Sequence, residues 1–171
     1  MNISIDLVSL KDVDALLDFE LVNRAWFERH VPPRDPSFYT HQGVKEQIYE
    51  FLLLHENNEM YPMIIRTELG EICGRLNVHQ VDSNKSSGEL GYRMGEEFTS
   101  KGIASKAVEK LISYLDAESK LGYLKAIVLV GNEGSSKVLE RNGFSKVRNI
   151  PKYGALNGEI KDAVEYGRKL P

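Results

Sequence analysis

The stretch Glu96–Ser105, EEFTSKGIAS, sets two acids, three hydroxyls and one lysine around Gly102 and then runs into an amphipathic segment of helical spacing. The first turn of a helix leaves its N–H groups unpaired and carries a partial positive charge, so an anion placed there is held by backbone alone. Lys101 can add a formal charge, Gly102 and Ala104 keep side chains clear of a close-lying ligand, and Thr99, Ser100 and Ser105 offer hydroxyls. This chemistry suits a pyrophosphate. Neither G-x-x-x-x-G-K-[ST] nor G-x-G-x-x-G occurs, which argues against ordinary nucleoside-triphosphate and dinucleotide sites.

The elements that must position this stretch are legible as alternating patterns. Ile3, Ile5 and Leu7 alternate with polar residues as in a half-buried strand, and Ser9 with Asp12 resembles a helix cap. One helix is expected to carry Val13, Leu16, Leu17, Leu21 and Trp26, ended by Pro32 and Pro33 in the loop His30–Ser37. A second helix, capped by Thr40, presents Val44, Ile48, Phe51 and Leu52. Residues 61–67, 72–81 and 88–94 read as three strands of an antiparallel meander. Residues 103–121 form the amphipathic helix, with Gly122 as its C-terminal signal. Residues 126–130 read as a central strand buried on both faces, and 135–143 as a short helix. A last hairpin turns at Asn157-Gly158. The class is α+β, a mixed sheet with helices packed on it.

The 171 residues suit a single domain, 1–171, able to bury roughly two thirds of its unfolded surface. Lys plus Arg is 22 against 25 for Asp plus Glu, a net charge of −3, so no stable nucleic-acid binding is expected. One cysteine, no leader and no run of about 18 apolar residues predict a cytoplasmic protein without a membrane span. The histidines at 30, 41, 55 and 79 share no metal-ligand spacing, so no metal is expected, and Cys73 reads as a small core residue.

The segment ELGYRMGEEFTSKGIASKAVEKL, followed some thirty residues on by VLVGNEGSSKVLERNGF, resembles the acetyl-CoA-binding core of the GNAT superfamily of N-acetyltransferases. The [QR]-x-x-G-x-[GA] pyrophosphate loop of that family falls on Thr99–Ala104, and its N-x-x-S…G-F segment falls on Asn132, Ser135, Gly143 and Phe144. NRAWFERHVPP, ELGY and NGEIKDAVEY further resemble the RimJ/RimL-like branch, which acetylates protein N-terminal amines and includes small-molecule acetyltransferases. Thr99 stands where the family usually has Gln or Arg, which removes a long donor but leaves the backbone cradle.

The resemblance implies a mostly antiparallel sheet with splayed fourth and fifth strands, about four helices, and acetyl-CoA as co-substrate without a metal. It also implies an amine acceptor, either a protein N-terminus or a small molecule, attacked directly in a ternary complex. Backbone at Tyr92, Arg93 and Met94 would pair with the cofactor, the Met94 N–H facing the carbonyl, while Thr99, Ser100, Lys101, Gly102, Ile103, Ala104, Ser105, Asn132 and Ser135 would complete its site. Strand alternation sets Glu89 beside Gly91 and Arg93 as the base, with Glu71 as the alternative. Ser135 would serve the departing thiolate, or only cap its helix. The tyrosine many relatives carry seven residues after the motif asparagine is Leu139 here. Trp26 and Phe27 either pack in the core or flank the acceptor groove. The rival reading is a non-catalytic CoA-binding sensor, and a homodimer is compatible with the terminal strands.

Overall fold

The computed structural model describes residues 2–171. Seven strands form one sheet in the order β1-β2-β3-β4-β5-β7-β6. They are β1 (Ile3–Leu7), β2 (Tyr61–Thr67), β3 (Ile72–Asp82), β4 (Ser87–Met94), β5 (Tyr123–Leu129), β6 (Ser145–Leu156) and β7 (Glu159–Lys169). Every neighbouring pair is antiparallel except β4 and β5, which run parallel and are joined by the crossover helix α4 (Ile103–Glu118). The expected meander is β2-β3-β4, and the expected hairpin turn holds Asn157 and Gly158 at φ +52° and +79°, as a type I′ turn requires.

Two cores lie on opposite faces. Alternation in β2 sends Met63 and Ile65 towards α4, whose Ala107, Val108, Leu111 and Leu115 are fully buried, and sends Ile64 to the other face. There α1 (Val13–Val22) contributes Val13, Leu16 and Phe19, and α3 (His41–Glu56) contributes Val44 and Ile48. Thr40 caps α3 as expected, accepting a hydrogen bond from Gly43 N at 2.9 Å.

Five expectations are corrected locally. The first helix does not run on to Trp26: it ends at Val22, and a separate α2 (Arg24–Glu28) follows, so the described residues hold five α-helices, in line with the expected count of about four. Asn23 makes the break by folding its Nδ2 back onto Phe19 O at 2.9 Å while its Oδ1 accepts from Glu96 N at 2.9 Å. Leu21, assigned to the apolar face of that helix, is 46% exposed. Helix α4 stops at Glu118, because the Ser119 hydroxyl donates to Leu115 O, and Gly122 instead begins the approach to β5. In β5 only Leu124, Ala126 and Val128 are buried, and both-face burial belongs instead to β2 and the first half of β3. Last, α5 (Glu133–Arg141) begins before Ser135, with Asn132 as its cap.

Candidate active site

The parallel pairing of β4 and β5 covers only Ser87–Leu90 against Tyr123–Ala126, after which β4 stays with β3 and β5 stays with β7. A gap therefore opens at Gly91. Gly95 N donates to Cys73 O at 2.9 Å, and Gly74 faces Met94. Bonded and non-bonded pairs alternate in an antiparallel ladder, so Tyr92 and Met94 turn their N–H and C=O groups away from β3, into the gap. Trp26 on α2 closes the far end, its Nε1 donating to Met94 O at 3.2 Å.

A cleft of about 610 Å³ follows this splay. Tyr92, Arg93 and Met94 line it from β4, and Thr99, Ser100, Gly102, Ile103, Ala104 and Ser105 line it from the loop and first turn of α4. Asn132 and Ser135 line it from the start of α5, and Trp26 and Phe27 from α2. Lys101 is not in the lining; its ammonium lies 6.0 Å from the Phe98 ring centre. Glu89 and Glu71 are also outside it.

The start of α4 leaves its backbone N–H groups uncapped, an arrangement that suits an anion. Its N-cap is Gly102 at φ +75°, a conformation glycine adopts without strain, and no side chain caps the helix. No atom lies within 4 Å of where a Cβ at Gly102 would stand, so the backbone there is open to close approach. Asn23 steadies the loop before it through Glu96 N. Thr99 contributes no donor to the cleft in this arrangement, since its hydroxyl bonds Glu96 O at 2.7 Å. Asn142 ties the end of α5 to the first turn of α4 through Ser105 O and Oγ, each at 3.2 Å.

Around the splay the titratable groups differ in setting. Glu89 accepts from His79 Nε2 at 2.9 Å and lies 3.7 Å from Lys125 Nζ. The His79 hydrogen bond holds its carboxyl below the usual range, against the opposing effect of burial. The His79 ring covers Gly91, with Cε1 3.4 Å from the position of an added Cβ, and its Nδ1 meets Asn77 Oδ1 at 3.0 Å. Asn132 Oδ1 accepts from Ser135 N at 3.3 Å, leaving the Ser135 hydroxyl out of the cap. The Tyr92 hydroxyl is buried without a hydrogen-bond partner. Burial raises that phenol, and the Ser135 hydroxyl, near it but outside bonding geometry, opposes the shift. Cys73 is fully buried, and burial pushes its thiol up to about 11, which disfavours a nucleophilic role. Glu71 is exposed beside the β2–β3 turn.

Sequence reasoning missed the side chain of Tyr92, the His79 partner of Glu89, and Lys137 and Arg141, which line the cleft from α5. Only the last two carried a local signal, an i, i+4 basic pair on one helix face.

Residues 3–145 match the family described as Acetyltransferase (GNAT) domain. The chain belongs to the GNAT acetyltransferases. It is 27% identical over 170 residues to "Putative ribosomal N-acetyltransferase YdaF" of Bacillus subtilis (strain 168), covering 96% of this chain and 90% of that protein. It is 25% identical over 160 residues to the ribosomal protein uS5-alanine N-acetyltransferase of Escherichia coli (strain K12), covering 92% and 82%. In fold it is similar to the crystal structure of ribosomal-protein-S5-alanine acetyltransferase from Vibrio fischeri, with TM-score 0.94 at 24% identity over 99% of this chain and 94% of that one. RimL, a ribosomal L7/L12 alpha-N-protein acetyltransferase in complex with coenzyme A, superposes with TM-score 0.91 at 22% identity over 99% and 95%. As a RimJ/RimL-like GNAT enzyme, the protein is an acetyl-CoA-dependent N-acetyltransferase. The uncapped α4 N-terminus, the open backbone at Gly102 and the unpaired edge of β4 fit that co-substrate.

Proposed function

We propose that the protein acetylates the N-terminal amine of a protein, by direct attack within a ternary complex. The relatives named for ribosomal-protein acetylation support a ribosomal protein as the acceptor. The observation that carries the mechanism is the splay, which leaves the Met94 N–H unpaired by β5 beside an uncapped helix start within one cleft. Acetyl-CoA, when bound, supplies an activated acetyl thioester.

The protein's own groups then divide the work. The first turn of α4 would hold the pyrophosphate, and the outward edge at Tyr92 and Met94 the pantetheine amides. The Met94 N–H is a donor for a carbonyl oxygen gaining negative charge. Glu89, in its pair with His79 at the opening of the splay, would accept the amine proton through water, with the exposed Glu71 the less favoured base. Ser135 would supply a proton to the departing sulfur, and the buried Tyr92 phenol beside it is a second donor, kept protonated by its surroundings.

A thermal-shift titration with acetyl-CoA, followed by free-thiol release over short peptides with Ser or Ala N-termini and a set of small amines, tests this reading. The expected outcome is a rise in melting temperature with acetyl-CoA alone and thiol release only when a peptide is added. Stoichiometric release without any acceptor would overturn direct attack. Release with small amines alone would overturn the protein acceptor.

A further inference from the structure

The acceptor side of the cleft holds more positive charge than the protein neutralises. Glu20 on α1 is fully buried, and three guanidiniums converge on its carboxylate. Arg34 Nε lies 3.2 Å and Arg93 Nη1 3.3 Å from Oε1, while Arg75 Nη1 lies 3.2 Å from Oε2. Among the described residues no other carboxylate pairs with these arginines, so three cations share one anion.

The three differ in what they can still do. Arg75 is shut in, its side chain 8% exposed, whereas those of Arg34 and Arg93 keep 24% and 22%. Each gives Glu20 one N–H bond, and a guanidinium carries five. Aromatic faces steady the cations: Arg34 lies 4.6 Å from the Phe38 ring centre and Arg93 lies 4.7 Å from that of Phe27. A ring offers no acceptor for the remaining N–H groups. Burial and the charge of Arg34 pull Arg93 down to about 10, the mark of a cation short of counter-charge. Arg93 lines the cleft together with Phe27 and Val31, and in sequence it precedes Met94, whose N–H faces the splay.

We infer that Arg34 and Arg93 form a carboxylate subsite beside the reacting centre, and that the preferred acceptor is an amine bearing a carboxylate close to it. This rests on the reading of the cleft as an amine-acceptor site. An acidic side chain at the second or third residue of a protein N-terminus satisfies it, and so does the α-carboxylate of a free amino acid. Planar two-pronged pairing of carboxylate with guanidinium gives the discrimination.

Binding without turnover tests the subsite. CoA is titrated first by calorimetry, and failure there would sink the transferase reading, not this one. Matched peptide amides of one first residue, with Glu, Gln or Lys second, are then titrated with and without CoA, as are one free amino acid and its amide. The Glu peptide is expected to bind at least about tenfold more tightly than the Gln peptide, a difference of about 1.4 kcal/mol. In Arg34→Gln that ratio should fall towards one while CoA titrates as before, and in Arg93→Gln the ratio should fall towards one as well. A preference of the free amino acid over its amide, with the peptides undistinguished, would assign the same subsite to a small acceptor. Equal or undetectable binding of the acid and neutral ligands by the unaltered protein, or a ratio that survives both substitutions, would overturn the inference. The comparison on the unaltered protein stands even where a variant fails to fold.

Discussion

Glu20 sits where burial alone would raise its carboxyl, yet the charges of Arg75, Arg34 and Arg93 outweigh that and hold it below the ordinary value. A depressed carboxyl stabilises the fold fully above its unfolded-state value, about 4.3, and loses that contribution as pH falls through the folded value. Glu20→Gln removes the one carboxylate that, among the described residues, pairs with Arg34, Arg75 and Arg93, and a loss of about 3–5 kcal/mol is expected in denaturant unfolding at neutral pH. The variant should also lose part of the acid-induced fall in stability, because the group that titrates is gone. None of this was readable from the chain, since Glu20, Arg34, Arg75 and Arg93 come from separate elements and no local pattern marks them. That Thr99–Ser105 and Asn132–Ser135 lie at helix starts was readable because such starts are local in sequence, although Lys101 falls outside the cleft lining. The same locality explains a limit at Ser135: a hydroxyl near a helix start reads as a cap, and only the structure assigns that task to Asn132.

Among the elements, α4 lines the cleft through its uncapped first turn, which we propose as the cofactor end of the site. A β-branched residue at Gly102 must adopt φ +75° and would project a side chain into space the backbone leaves open. Gly102→Val should therefore weaken CoA binding at least about tenfold by calorimetry, with a stability loss of only about 1–2 kcal/mol. Comparable CoA affinity in the variant would argue against the α4 start as the pyrophosphate site. Apart from α2, the existence of the α-helices and strands was legible, because the 3.6-residue and two-residue periods of α3, α4, β1 and the meander are strong. Boundaries failed where a side chain overrode the period. Asn23 breaks the first helix to reach Glu96, and Ser119 ends α4 three residues before the glycine that looked like its stop. The mistaken both-face burial of β5 has another cause: Ile127 and Leu129 are apolar yet only half buried.

Across the whole molecule, one sheet separates two cores and two tasks. The α4 and α5 face carries the uncapped helix start and Ser135, the α1–α3 face carries the arginine cluster, and the cleft along the splay is lined from both. The splay follows from the parallel pairing of β4 and β5, which stops at Leu90; a mixed sheet was legible in the residue pattern, and the splayed strands came from the resemblance. Which side chains meet across the sheet was not implied, because that depends on register. The Trp26 indole bridges the two faces: it lines the cleft from α2 and donates to the carbonyl of Met94 on β4. It is also the only tryptophan in the chain. The enzyme thus carries one tryptophan fluorophore, fixed at the Met94 end of the splay, where we propose that its two substrates meet. Its emission should respond to CoA and to acceptor separately, so the order in which the two bind can be followed in real time on unlabelled protein. Unchanged emission with both ligands at saturation would mean that neither reaches the Met94 end of the splay.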